Sequence, residues 1–196
     1  SSLKQANKLN PKKASYLFSE ASILIRQENT KSAIKLIKQG LTIDPNSADA
    51  YFQLGNSLLI QKEFNKALTA FKKASTIKPA FWQALNNQGL VLYEQGKINL
   101  AIDTWEKVLE IKSHPEPSLA LAAALYAKNR ENKKCIFLAK KSLKEDPNYA
   151  FEKYQKEQLW GEKIRKATKK LFKSKNLRKS IEKALANATT KLADNK

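Results

Sequence analysis

Residues 48–81 read ADAYFQLGNSLLIQKEFNKALTAFKKASTIKPAF. Tyr51, Leu54 and Leu58 fall three and four apart, the spacing of one helix face. Ala67, Phe71 and Ala74 repeat that spacing after a polar turn at Gln61 to Phe64. The stretch therefore predicts two helices folded back on one another. Gly55 removes a side chain where the two would cross, and Ala67 permits the same close approach from the second helix. Phe71 fills the space towards the next pair, worth roughly 1.5 to 3 kcal/mol for a buried side chain of that kind. Pro79 stops the second helix, because proline disfavours helical geometry in the residue before it.

The same register recurs at 34-residue intervals along the chain. Downstream it gives Leu85, Gly89, Leu92, Ala101 and Trp105, with the closing proline displaced to Pro115. Upstream it gives Leu17, Ala21, Leu24, Ala33, Ile37, Gly40 and Pro45. A fourth copy reads Leu119, Ala123, Tyr126, Cys135, Ala139 and Pro147, where Cys135 and Ala139 replace an alanine and an aromatic. The turns fall near Gln27 to Thr30, Gln61 to Phe64, Gln95 to Lys97 and Lys128 to Asn132, and Gly96 alone marks one with glycine.

These positions, most completely Tyr51, Leu54, Gly55, Leu58, Ala67, Phe71, Ala74 and Pro79, resemble the tetratricopeptide-repeat family. The resemblance implies an all-α fold, a right-handed superhelical solenoid of about four helix-turn-helix repeats. They would occupy residues 14–47, 48–81, 82–115 and 116–149, the last degenerate. A basic segment, residues 1–13, precedes them, and residues 150–196 are expected to form basic capping and extension helices.

The 196 residues carry a formal charge of +19, unevenly placed. Residues 150–196 hold fourteen basic and five acidic side chains, about half of the excess. A field of that sign attracts nucleic acid, acidic lipid or acidic protein. A lysine-rich proteome is the alternative origin of the charge, and composition leaves both open. Cys135, the single cysteine, has no partner for a disulfide and reads as a small buried hydrophobe. No metal is expected, and His114, in the loop before Pro115, reads as a solvated histidine without chemistry. No phosphate loop, nucleophile elbow or dinucleotide fingerprint is present, so the expectation is a protein that is not an enzyme, with no cofactor and no small-molecule substrate.

The family resemblance implies that the first helix of each repeat lines a concave binding face. Its candidate residues are Phe18 and Ser22 from the first repeat, with Ser15, Ser19 and Ile25 beside them. The second repeat contributes Phe52, Gln53 and Asn56, flanked by Asp49 and Leu59. The third contributes Gln83, Asn86, Asn87 and Tyr93, flanked by Leu90, and Ala120, Leu121 and Ala124 continue the fourth. Carboxamides both donate and accept, so this lining suits the backbone of an extended peptide. One branch of the family clamps the C-terminal carboxylate of heat-shock chaperones with lysine, asparagine and arginine. Phe18, Ser22, Gln53, Gln83 and Asn87 stand at those positions here, and no cation is available for that clamp.

Past Pro147 the signature ends and two amphipathic helices are expected. Trp160, Ile164, Ala167 and Leu171 form one apolar stripe, and Leu177, Ile181, Ala184, Leu185, Ala188 and Leu192 form another. The polar faces carry a basic patch of Lys163, Lys166, Lys169, Lys170, Lys173, Arg178, Lys179 and Lys183, with Lys191 beyond it. Tyr154, Leu159 and Trp160 are expected to cap the fourth repeat, whereas the distal helix is free to project, fold back into the groove, or meet anionic lipid or nucleic acid. The run Gln158-Leu159-Trp160-Gly161-Glu162-Lys163 resembles the tail of small repeat proteins of cyanobacteria and plastids, which implies a role in assembling photosynthetic or pigment-making complexes.

The expected function is a protein-interaction scaffold or assembly factor that holds an extended polypeptide segment in the concave groove. A nucleic-acid-binding module using the basic C-terminal helices is the alternative, and a peripheral membrane adaptor a further one. Localisation is expected to be cytoplasmic or at a membrane surface.

Overall fold

The computed structural model describes residues 11–129 and 133–189, and every regular element among them is helical. The paired helices are α1 (Pro11–Arg26), α2 (Thr30–Ile43), α3 (Ala48–Ile60), α4 (Phe64–Ile77), α5 (Trp82–Glu94), α6 (Ile98–Ile111), α7 (Pro115–Lys128) and α8 (Lys133–Glu145). A single 3-10 turn at Pro147–Ala150 leads to a short α9 (Glu152–Glu157), α10 (Glu162–Leu171), a second 3-10 turn at Lys175–Leu177 and α11 (Arg178–Asn187). The chain divides into two compact units, residues 1–84 and 85–196. The basic residues Lys4, Lys8 and Lys191, and Leu192, lie outside the described residues.

In the first unit α1 packs on α2, α2 on α3 and α3 on α4. Gly40 and Gly55 make the pairs possible. A Cβ at Gly40 would overlap the Phe18 ring, and one at Gly55 would lie 2.5 Å from Phe71 Cε1. Phe71, Ile37, Ala33 and Ala67 are fully buried around these crossings. Phe52 stacks at a tilt between Phe71, 5.9 Å away, and Phe81, 5.0 Å away. Side chains cap two of the helices: Asn29 accepts the Ser32 N–H and Ser47 accepts the Ala50 N–H.

The turns inside the first three pairs share one backbone geometry. Glu28, Lys62 and Gly96 all adopt positive φ, at 61°, 59° and 78°. Each is followed by a backbone bond that closes the turn: Asn29 N–H to Leu24 O, Glu63 N–H to Leu58 O and Lys97 N–H to Leu92 O. Glycine adopts this conformation without a steric cost, and two of the three sites instead hold a side chain that strains it.

The second unit follows the same rule through α6, α7 and α8. Trp105 lies over Gly89, where a Cβ would come within 2.5 Å of its Nε1, and donates that N–H to Asn86 O at 3.3 Å. Cys135 and Ala139 are fully buried in α8, as a small-residue reading of the degenerate copy requires. The departure comes at α9. Leu159, with φ 63°, and the Trp160 N–H to Gln155 O bond copy the repeat turn, but α9 spans only six residues. It is too short to form a fifth pair. Helix α10 packs instead along α7, and α11 packs on α8 and on the 3-10 turn at Pro147–Ala150.

Candidate functional site

The five expected groove residues of α1 and α3 come together in the first unit. Phe18, Ser22, Phe52, Gln53 and Asn56 are all half-buried. Ser22 donates its hydroxyl to Phe18 O at 3.0 Å and accepts Gln53 Nε2 at 3.1 Å, so the two helices are joined through the face itself. Gln53 Oε1 has no hydrogen-bond partner among the described residues. Gln83, the remaining candidate in this unit, is exposed, as are Ser15, Ser19 and Asp49, whereas Leu59 is buried and does not line the face.

The second unit corrects the expectation of an open groove there. Asn86, Leu90 and Tyr93 retain 5% exposure or less, Asn87 retains 7%, and Ala120, Leu121 and Ala124 have none. Helix α7 is buried continuously from Pro117 to Ala124 because α10 lies along it in addition to α6 and α8. The amides are used inside the protein: Asn86 Nδ2 donates to Asn87 Oδ1 at 3.2 Å and also bonds Glu116. Helix α10 thus covers the α7 part of the surface expected to receive a partner, and the α5 amide of Asn86 is turned onto Glu116 of α7.

Two carboxylates hold that cover in place. Glu94, the last residue of α5, accepts the N–H groups of Lys163 at 3.2 Å and Ile164 at 3.1 Å, in the first turn of α10. Lys163 Nζ returns a bond to Glu94 O at 2.6 Å. A side-chain cap delivered from another helix satisfies donors that α10 cannot satisfy itself, and its negative charge suits the helix N-terminus. Gly161 is required beside it, because a Cβ there would overlap the Glu94 carboxyl.

The second carboxylate, Glu116 at the start of α7, accepts the Trp160 indole N–H at 3.1 Å and bonds Asn86 and Tyr149. Burial pushes its carboxyl up to about 7, against the pull of the three hydrogen bonds. Tyr149 is fully buried, with Trp160 5.7 Å from its ring and Tyr154 at 5.0 Å edge-on, and its hydroxyl is pushed up by burial and then by Glu116. His114 is not a solvated loop residue. It caps α7, its Nδ1 accepting the Glu116 N–H at 3.3 Å, and burial lowers its pKa. None of these roles was visible in the sequence, since Glu94 and Ile164 are separated by 70 residues. The one local signal was Pro115-Glu116-Pro117, which marks a helix start.

The basic patch is divided by the structure. Lys163 is engaged with Glu94, Lys166 pairs with Glu162, and Arg178 pairs with Glu182. Lys169 and Lys170 stand exposed in the last turn of α10, where positive charge suits the helix C-terminus, with Lys173 just past it. Lys179 is exposed on α11, and Lys183 lines a cleft with Lys140 and Lys144 of α8. Among the described residues no group of three His, Cys, Asp or Glu is placed to hold a metal ion, and no helix is long and apolar enough to cross a membrane.

Profiles of the tetratricopeptide-repeat family match residues 14–47 and 48–81. No functionally curated protein gives a significant match. Among solved structures, MamA is similar at a TM-score of 0.65 and 18% identity, over 94% of this chain and 96% of MamA. MamA 41-end from Desulfovibrio magneticus RS-1 is similar at 0.62 and 20%, over 93% and 94%. The first TPR of Spaghetti (RPAP3), bound to the HSP90 peptide SRMEEVD, is similar at 0.52 and 17%, over 70% of this chain and 95% of that one. At such identities the likeness establishes the fold, an all-α repeat solenoid.

Proposed function

We propose that this member of the tetratricopeptide-repeat family is a non-catalytic protein-interaction module that binds an extended polypeptide segment on the α1–α3 face of its first unit. The observation that carries the reading is the contrast in burial. Phe18, Ser22, Phe52, Gln53 and Asn56 stay half-exposed, whereas Asn86, Asn87, Tyr93, Ala120 and Leu121 are covered by the chain itself. A peptide backbone offers alternating N–H and C=O groups, and carboxamides on a half-buried face, as at Gln53 and Asn56, are side chains that can both donate and accept.

The absence of lysine or arginine among these five residues sets the ligand class. The segment bound is internal and neutral along its backbone rather than a free C-terminal carboxylate. A protein ligand is in keeping with the peptide-bound repeat structure of similar fold. The test is a peptide-array screen with the full chain, followed by calorimetry of the tightest peptide against the Gln53→Ala/Asn56→Ala double variant. A loss of about tenfold or more in affinity is expected, and unchanged affinity would overturn the reading.

A further inference from the structure

The first unit has a second recess, on the opposite side of α3. Tyr51, Leu54 and Leu58 form its floor, α2 bounds it with Lys38, and α4 bounds it with Lys66 and Lys73. At 100° per residue, positions 51, 54 and 58 point about 180° away from 52, 53 and 56, so the recess is separate from the amide-lined face. Its volume is about 430 Å3, within the range of pockets that hold ligands.

The recess has a cause in the sequence. The repeat pattern places tryptophan and tyrosine where this chain has Tyr51 and Leu58. Both replacements are smaller, which leaves room above the floor of the recess. Leu54 and Leu58 are 8% and 3% exposed at its base, while Tyr51 is half-buried. No carboxylate lines it, and Lys38, Lys66 and Lys73 are all exposed at its rim. Lys66 is already paired with Glu63, which leaves Lys38 and Lys73 on opposite walls as the strongest source of field.

We propose that this slot is a docking site for an acidic amphipathic helix of another protein, which inserts bulky apolar side chains onto Tyr51, Leu54 and Leu58 and sets carboxylates against Lys38 and Lys73. An apolar floor between two helix walls is the geometry in which a helix lays its apolar stripe into a groove. The lysine rim selects the sign of the flanking residues and speeds encounter. A second copy of this chain is a poor occupant, because each copy carries +19.

The probe is a synthetic helical peptide with leucine at i, i+3, i+4 and i+7 and glutamate at most other positions, titrated into the full chain by fluorescence anisotropy. Two controls accompany it, one with alanine for leucine and one with lysine for glutamate. Saturable binding of the leucine–glutamate peptide alone is expected. Lys38→Glu/Lys73→Glu should weaken it at least about tenfold and flatten its salt dependence. Tyr51→Trp/Leu58→Tyr, which refills the slot, should weaken it similarly with the helical circular dichroism retained. The charge-reversal pair lies on exposed side chains and keeps the test decisive if the refilled variant does not fold. Gln53→Ala/Asn56→Ala should leave this binding intact, which separates it from the peptide face. Equal binding of the alanine or lysine control, indifference to the charge reversal, or slot-dependent binding of phosphatidylglycerol vesicles without peptide binding would each overturn the proposal.

Discussion

Glu94 Oε1 accepts the Ile164 N–H at 3.1 Å, so the last residue of α5 caps a helix whose first turn lies some 70 residues later. Removing the carboxylate strands the N–H groups of Lys163 and Ile164. Glu94→Ala should cost about 0.5–2 kcal/mol, the usual range for a lost side-chain cap. Gly161→Ala should cost a similar amount, since the new Cβ must push the carboxyl off those donors. Urea melts followed by tryptophan fluorescence would measure both, and amide exchange in α10 should accelerate before that in α2.

Glu116 should make stability depend on pH. Its carboxyl is raised from 4.5 to about 7 by burial, so the folded protein holds a proton that the unfolded chain has released. The resulting stabilisation is complete below about pH 4.5 and fades as pH rises through about 7. Glu116→Gln keeps an acceptor for Trp160 and cannot ionise. The difference in Tm between wild type and this variant should shift towards the variant as pH rises from about 5 to 8, and a constant difference would contradict the assignment.

Lys62 sits at φ 59° in a turn whose counterpart in the next repeat is Gly96. Lys62→Gly should relieve the strain of a left-handed side-chain residue and raise stability by about 0.5–1 kcal/mol, net of the entropy that glycine adds to the unfolded chain. Glu28→Gly should behave alike. Thermal melts check both, and the reverse change, Gly96→Lys, should destabilise.

Ile164 is fully buried where α10 meets α7. Ile164→Ala should cost about 2–5 kcal/mol if the helix is an integral part of the core. The same substitution should raise the reactivity of Cys135, fully buried in α8, towards a thiol reagent, by making local opening of the second unit more frequent.

Much of the fold was legible because it rests on local spacing. The placement of Gly55 against Phe71, and of Gly89 against Trp105, follows from contacts within one helix pair. The same spacing anticipated that Ser22 of α1 and Gln53 of α3 share one half-buried face. Openness was misread for α5 and α7: Asn86 and Asn87 carry the same side-chain chemistry as Asn56, and nothing near them in the sequence says that they will be buried. The slot over Tyr51 was readable in principle, since Tyr51 and Leu58 are undersized for their positions, yet a cavity becomes real only once its walls are shown not to close.

The sequence alone determined the helix pairs, their turns and the apolar residues between them, because each depends on groups a few positions apart and on a period that repeats. Tertiary structure decided which face stays open. That outcome rests on Glu94 reaching Ile164 and Glu116 reaching Trp160, contacts whose partners lie 70 and 44 residues apart. Such pairings carry no periodic trace, since a single hydrogen bond constrains two residues and leaves the pattern between them unchanged.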